Sequence, residues 1–451
     1  MPNDPVNQHQ LERGLSLTQA TAINMIDMVG IGPFITIPFI VGAMKGPQCL
    51  IAWLVGALLA FMDGSIWAEM GAKWPQAGGS YVFLQNLYGK WGKMFAFLFI
   101  WQTTIQAPLV IASGAIGFSQ YLTYLVNLTG WEQKMVSGAL VILLVLLLYR
   151  NIKTVGKISV ILWIITGGTF IWLIASGFNG FNSKQAFTVS KDAWDLTPLF
   201  FVGLGQASLK TAYSFLGYYN VCHLGGEIKN PERNIPKSIF ISIAGIAVLY
   251  LGMQIMVLGI LPWQEVAKSQ FPISLYFEHI YNSGVAKFAT GLILIIALSS
   301  LFSVTLGYSR VPYAAAIDGN FFPMFGKIHP TKKFPHVSLL FLGAFAFVFS
   351  LLFKMKEIIT AIVTMRIIIQ FLGQAFGVIW WHYHKPKEPR PYKMRLFPIP
   401  AIIAIIVWLF ILLTSPLVYI AMAGGIIVTG LIIYFFWQRR AGKLLPVDIS
   451  S

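Results

Sequence analysis

Charge is scarce in this sequence. Only 11% of its 451 residues are Asp, Glu, Lys or Arg, against about a quarter in an ordinary soluble protein, which excludes a soluble globular domain. Cysteine is almost missing as well. Cys49 and Cys222 are the two present, too few for a disulfide framework or a thiolate metal cluster. There is no Gly-x-x-x-x-Gly-Lys-Ser/Thr phosphate loop, no His-Glu-x-x-His helix and no Gly-x-Ser-x-Gly elbow, so neither ATP hydrolysis, metallopeptidase nor serine-hydrolase chemistry is expected. No cofactor, no metal and no enzymatic activity are expected. Residues 1–16 lack the basic start and short apolar core of a cleavable signal peptide, so the first span is expected to act as its own insertion signal.

Apolar sequence fills the space that charge leaves. Hydrophobic residues make up 57% of the chain, and runs such as 140–148, 158–174, 239–261 and 402–413 recur along its length. With their neutral flanks most approach the roughly 20 residues that cross ~30 Å of hydrocarbon. About twelve spans are predicted, near 17–43, 48–70, 93–122, 135–150, 156–177, 197–224, 236–262, 285–312, 337–353, 357–381, 399–414 and 417–437. The fold class is therefore an all-α polytopic membrane protein embedded in a lipid bilayer, with short tails over 1–16 and 438–451.

A net charge of +16 usually raises the question of nucleic acid, but here the cations alternate with the spans and form no stripe. Arg13, Lys73, Lys90, Arg150, Lys153, Lys229, Arg233, Lys327, Lys332, Lys333, Lys385, Arg390, Arg395, Arg439 and their neighbours fall in one set of loops. The opposite set holds only Lys45, Lys134, Lys184, Lys191, Lys268, Lys287, Lys354 and Lys356. Cytoplasmic loops carry the excess of Lys and Arg. Both termini are thus expected in the cytoplasm, in a multi-pass protein of the cell membrane, and no nucleic-acid partner is expected.

Two spans are interrupted. Val29-Gly30-Ile31-Gly32-Pro33-Phe34 places two glycines and a proline inside the first, where Pro33 removes a backbone donor and Gly loosens the chain. Tyr213-Ser214-Phe215-Leu216-Gly217-Tyr218-Tyr219-Asn220 interrupts the sixth. These spans head two consecutive sets of five. Backbone groups freed at mid-membrane depth are costly unless they line a cavity or meet a ligand, and breaks at matching places in two halves point to a transporter's binding site. An amide-bearing half-helix end suits a carboxylate and a carbonyl-bearing end suits an ammonium, so the pair fits an α-amino acid. Simple kinking of packed helices is the competing reading.

Several motifs carry a resemblance to a known family. Gly30-Ile31-Gly32-Pro33-Phe34 is similar to a G-S-G-I-F substrate loop. Glu69-Met70-Gly71 through Pro75-Gln76-Ala77-Gly78-Gly79-Ser80-Tyr81 is similar to an E-L-G…P-x-A-G-G-x-Y segment. Glu227-Ile228-Lys229-Asn230-Pro231-Glu232-Arg233-Asn234-Ile235-Pro236 is similar to E-x-x-N-P-x-R-N-x-P, and Arg310 through Asp318-Gly319 and Pro323 to an R…D-G-x-x-P loop with one extra residue. Together they resemble the amino acid, polyamine and organocation superfamily, over almost the whole chain. The resemblance implies two inverted repeats of five helices, 17–177 and 197–381, followed by two more over 399–437, with helices 1 and 6 discontinuous. It implies a substrate site at Gly30, Ile31, Gly32, Pro33, Tyr213, Ser214, Phe215 and Gly217. Ile31 and Pro33 depart from the family pattern and remove a hydroxyl contact, which leaves carboxylate binding to backbone amides. Tyr213 is expected to close over the substrate, and Glu227 to belong to the cytoplasmic gate.

Ionisable residues inside a membrane are candidates for function. By the resemblance, Lys157 matches a lysine that replaces a sodium ion in sodium-independent members, tying span five to spans one and eight, and a lysine buried there could carry the transported proton; a snorkelling interfacial lysine is the competing reading. Asp27, within one turn of the first break, could pair with Lys157, carry a proton or anchor a substrate cation. Lys210 and Arg366 are expected to line an outward vestibule, or to pair with Asp63 or backbone carbonyls. His223 reads as a packing residue able to titrate near neutral pH, and His382 with His384 as an interfacial patch. Ser299, Ser300, Ser303 and Thr305 could have built a sodium site, which a lysine at 157 would fill with charge. The expectation is a sodium-independent secondary amino acid transporter, proton-coupled or exchanging, for neutral or small amino acids. A cationic amino acid or polyamine carrier is the first alternative, and a sensor or channel the second. The outward loop near 123–134 has no cysteine, so no disulfide-linked heavy chain is expected, and the protein would act as a monomer or homodimer.

Overall fold

The structure, a computed structural model, describes residues 11–189, 191–352 and 355–441. Residues 1–10 and 442–451 of the two expected tails lie outside the described residues, as does Lys354. The chain is helical throughout, and among the described residues β structure is confined to two isolated bridges, Leu15 with Ile228 and Ala77 with Leu224.

Among the described residues eight helices are long and apolar enough to cross a membrane: Pro47–Lys73, Gly89–Leu122, Gly130–Leu148, Ile152–Gly177, Pro231–Ile260, Ser283–Ile317, Ile359–His384 and Leu417–Phe436. A ninth span is a bent pair, α1 (Leu17–Met28) and α2 (Gly32–Met44), which meet at 46°. His336–Leu352 and Ile399–Leu413 are shorter apolar helices, and Pro198–Phe215 ends in a turn over 216–219. A helix thus stands at each of the twelve expected places.

Local chemistry sets the ends that matter. Ser16 and Gln19 form a capping box at the start of α1, each side chain bonded to the other's backbone amide, which satisfies amide donors that a helix start leaves free. The helix stops at Val29, whose φ of −94° and ψ of 83° are non-helical, and α2 restarts with Pro33 in its first turn, where a missing N–H costs nothing. At the other break Gly217 sits at φ 120°, a conformation that L side chains rarely adopt.

The remaining labels run in chain order: α3 (Leu50–Lys73), α4 (Ser80–Leu87), α5 (Gly92–Leu122), α6 (Gly130–Leu148), α7 (Ile152–Gly177), α8 (Ser183–Phe187), α9 (Pro198–Phe215), α10 (Asn220–His223), α11 (Pro231–Ile260), α12 (Trp263–Lys268), α13 (Pro272–Ile280), α14 (Ser283–Tyr308), α15 (Arg310–Ile317), α16 (His336–Leu352), α17 (Met355–Arg366), α18 (Gly373–His384), α19 (Ile399–Leu413) and α20 (Leu417–Ala441). A π-helical turn, Ile367–Leu372, joins α17 to α18.

Lipid tails are as apolar as the side chains, so close packing and buried hydrogen bonds hold such helices together. The α3–α11 contact shows both. A Cβ on Gly64 would come within 2.6 Å of Ile243 Cδ1, and one on Gly71 within 2.8 Å of Ile235 Cγ2 and Cys222 Sγ. Trp53 donates from Nε1 to Gln254 Oε1 at 3.0 Å in the same interface. Gly64→Leu is expected to overpack it, at a cost of about 1–3 kcal/mol, seen as a lower melting temperature of the detergent-solubilised protein.

Candidate functional site

The two breaks face one another, and each supplies what the other lacks. A Cβ on Gly217 would lie 2.7 Å from the Met28 amide nitrogen and 2.8 Å from the Asp27 carbonyl carbon, so only glycine lets the second break approach the first. Asn24 of α1 accepts the Val221 amide of α10 at 2.8 Å. The Tyr250 hydroxyl of α11 lies 2.7 Å from the Met28 carbonyl and 3.1 Å from that of Ser214. It has one proton to share between the C-terminal ends of α1 and α9. From α14, Ser300 donates to the Asp27 carbonyl at 3.1 Å and Ser303 to the Ile23 carbonyl at 2.7 Å.

Some backbone groups remain unspent. Among the described residues the amides of Ile31 and Gly32 donate to no protein acceptor, and the carbonyls of Phe215 and Leu216 accept from no protein donor. Buried backbone groups are nearly always paired. Residues of both breaks line a cavity of ≈ 70 Å³, walled further by Val110 and Gly114 of α5, by Ala297, Ser300, Leu301, Val304 and Tyr308 of α14, and by Ile362 and Arg366 of α17. A water needs roughly 10–15 Å³ by this measure, so the space suits a small solute.

Gly30, Ile31, Gly32, Pro33, Tyr213, Ser214, Gly217 and Asp27, all singled out from the sequence, line this cavity. Tyr213 leans over the first break, where a Cβ on Gly32 would fall 2.7 Å from its ring. Phe215 is different. Its side chain turns away to pack on Tyr250 and Trp53, with ring centroids at 5.3 and 6.3 Å, so only its backbone faces the break.

The charges depart furthest from expectation. Lys157 is exposed and is absent from the cavity wall. Successive helix residues point about 100° apart; Gly156 is the residue of α7 that abuts α1, where a Cβ would meet Leu15 at 2.7 Å and Gln19 at 2.8 Å, so its neighbour is turned away. The tie between α1 and α14 is made by Ser300 and Ser303 instead. Lys210 does not reach the cavity either, and its Nζ donates to Thr360 at 2.9 Å, joining α9 to α17. Arg366 lines the cavity itself and is only 2% exposed. Neither cation pairs with Asp63, which accepts from Trp67 at 2.8 Å, from Trp408 at 3.4 Å and from Tyr218. His223, read as a packing residue, also lines the cavity, and neither ring nitrogen has a hydrogen-bond partner. Its position one helical turn past the second break was the signal that could have placed it there. Among the described residues no group of His, Cys, Asp and Glu could hold a metal; His382 bonds Glu69 at 2.8 Å.

Beneath the site lies a buried ion pair. Glu227, fully buried, receives Arg310 Nε at 2.9 Å and Nη2 at 2.8 Å, a two-pronged geometry that is strong and directional. The Glu227 carbonyl also accepts the amides of Gly14 and Leu15, both at 3.0 Å, which fastens the segment before α1 to the segment after α10. Next to this layer is a second cavity of ≈ 580 Å³, lined by Arg13, Gln76, Gln85, Asn86 and Asp318 among others.

Residues 15–437 match the family described as amino acid permease. The chain belongs to that family. The permease is similar to the branched-chain amino acid permease BcaP of Bacillus subtilis (strain 168), 26% identical over 97% of the chain and 95% of the relative. It is similar to the serine/threonine exchanger SteT of the same organism, 26% identical over 95% of the chain and 98% of the relative. A third relative there is the glutamate/serine transporter AimA, 25% identical over 92% of the chain and 80% of that protein. The permease is accordingly an amino acid transporter and a multi-pass membrane protein, and not an enzyme.

Two substitutions separate the residues that the cavity uses from those it does not. In the permease, Gly32→Val drives the Tyr213 ring out of place and crowds the free amides; binding of any amino acid is expected to weaken at least about tenfold, as read by titration calorimetry. Lys157→Ala removes an exposed side chain, and its initial uptake rate in proteoliposomes is expected to stay within about twofold of the parent's.

Proposed function

We propose that the permease is a secondary transporter of small amino acids in the cell membrane, with both termini cytoplasmic, two five-helix halves and an alternating-access cycle. One observation carries the reading: two helix breaks present unspent amides and unspent carbonyls to a single small cavity. The α-carboxylate takes the amide-bearing start of α2 at Ile31 and Gly32. The α-ammonium takes the carbonyl-bearing ends of α1 and α9, where Asp27 adds a full negative charge.

The cytoplasmic layer of Glu227, Arg310, Gly14 and Leu15 closes the site from below, and Tyr213 covers the first break. Release inward then requires α1 and α10 to part from α15. Asn24 and the Leu15–Ile228 bridge link α1 to α10 and to the segment that follows it, so the two half-helices move as a unit. Coupling is independent of sodium on this reading, because Ser300 and Ser303 already direct their protons at α1 carbonyls and thereby supply the α1–α14 contact without an ion. Asp27 is the group placed to carry a proton in symport; simple exchange needs no such carrier.

A cationic substrate held by Asp27 is the second reading, favoured by the lack of any hydrogen bond from a protein donor to its carboxylate among the described residues. A sensor or channel would bind without stoichiometric turnover. Proteoliposome counterflow tests these together: unlabelled amino acid inside is expected to accelerate entry of label severalfold, unchanged when choline replaces sodium. Uptake that requires sodium would sink the coupling scheme, and saturable binding without counterflow would sink transport.

A further inference from the structure

We propose that the part of the cavity formed by Arg366, Tyr219, Tyr308 and His223 is a subsite for an anionic side chain, so that the amino acid carried by this permease has a second carboxylate. The inference rests on the zwitterion-binding reading above and names its substrate class.

Arg366 is the central observation. A guanidinium 2% exposed within the membrane normally has a carboxylate beside it, yet among the described residues no Asp or Glu lies within 4.0 Å of it. Its Nε donates to Gln370 Oε1 at 2.8 Å and its Nη2 to the Tyr219 hydroxyl. Among the described residues its Nη1 has no acceptor. The guanidinium carbon lies 5.1 Å from the Tyr219 ring and 5.2 Å from that of Phe371, which orients the cation without neutralising it.

The neighbours are donors too. Tyr219 already accepts from Arg366, and Tyr308 accepts from Gln106 Nε2 at 3.3 Å, so each hydroxyl is left with a proton and, among the described residues, no acceptor for it. His223 packs against both rings, at 5.9 and 5.6 Å, with both nitrogens unpartnered. This part of the wall, with a cation, free hydroxyl donors and no carboxylate, suits a partner that bears negative charge. Arg366 also immediately precedes the π-helical turn that holds Gln370, and such turns are frequent at functional sites.

Charge balance decides which carboxylate arrives. The α-ammonium faces Asp27 and the helix carbonyl ends, and the α-carboxylate faces the Ile31 and Gly32 amides. Across the empty cavity Arg366 and Asp27 offset each other; once the α-ammonium takes Asp27, Arg366 faces the side chain. A lysine-like side chain would meet a like charge there, and an amide would satisfy the donors while leaving the cation unpaired.

The test uses the full-length purified protein and compares L-aspartate and L-glutamate with L-asparagine and L-glutamine by titration calorimetry. The acids are expected to bind at least about tenfold more tightly than their amides, and Arg366→Gln to lose at least about tenfold in acid affinity and to reverse that order. Should Arg366→Gln fail to fold, Arg366→Lys keeps the charge without the planar fork and is expected to weaken acid binding while preserving the preference over amides. Equal or tighter binding of the amides by the unmodified protein overturns the subsite and leaves the zwitterion site standing. Absence of binding by any amino acid overturns both.

Discussion

A bilayer offers no water to a bare amide or carbonyl, so a helix broken inside it must find partners for every group the break releases. The architecture around residues 28–32 and 215–220 is organised by that requirement. Asn24, Tyr250 and Ser300 come from three different helices, and each reaches a backbone atom at a helix end. What they leave unsatisfied is concentrated at one cavity. On the proposed reading the binding site is thus the remainder of a nearly complete satisfaction of the backbone, which accounts for a small and sharply placed cavity.

Side-chain chemistry then differentiates a site whose backbone is generic. Amides and carbonyls at two helix ends can grip any α-amino acid, as suits a family whose members carry different ones. Selection falls to the residues on the other helices that wall the cavity: Val110 and Gly114, Ala297 to Tyr308, Ile362 and Arg366. Among the described residues that line the whole cavity, Arg366 is the only Lys or Arg and Asp27 the only Asp or Glu. A cavity holding one charge of each sign is neutral as a whole and polar across its width, and a bound zwitterion must align with that field.

The breaks were legible in the sequence because their causes are local. Gly30, Gly32 and Pro33 disrupt a helix whatever surrounds them, and Gly217 announces a conformation that only glycine adopts readily. The long apolar runs made the placing of the membrane-length helices legible for the same reason. Side-chain direction was not. Lys157 and Gly156 are adjacent in sequence, yet the helix turns one toward α1 and the other away, and nothing in a single sequence fixes which. Arg366 looked like a vestibule residue because its pairing with the cavity depends on where α17 sits against α5 and α9, a long-range fact. His223 was read as packing for want of any sign that its nitrogens would go unmatched. Two motifs noticed separately, the one opening at Glu227 and the one opening at Arg310, prove to be the two halves of a single ion pair.

That pair has the energetic profile a gate requires on the proposed cycle. Removing two charges from water costs several kcal/mol per ion, and their mutual attraction with good geometry roughly restores the balance. A closed Glu227–Arg310 contact is therefore specific without being deep. When α1 and α15 separate and water enters from the cavity lined by Arg13 and Asp318, both charges recover hydration, so the open state is not penalised by stranded ions. A hydrophobic plug of the same size would gain nothing on wetting and would hold the closed state more firmly. The Gly14 and Leu15 amides add direction: they bond the carbonyl of Glu227 itself, so on the proposed cycle the segment before α1 carries Glu227 with it as it parts from Arg310.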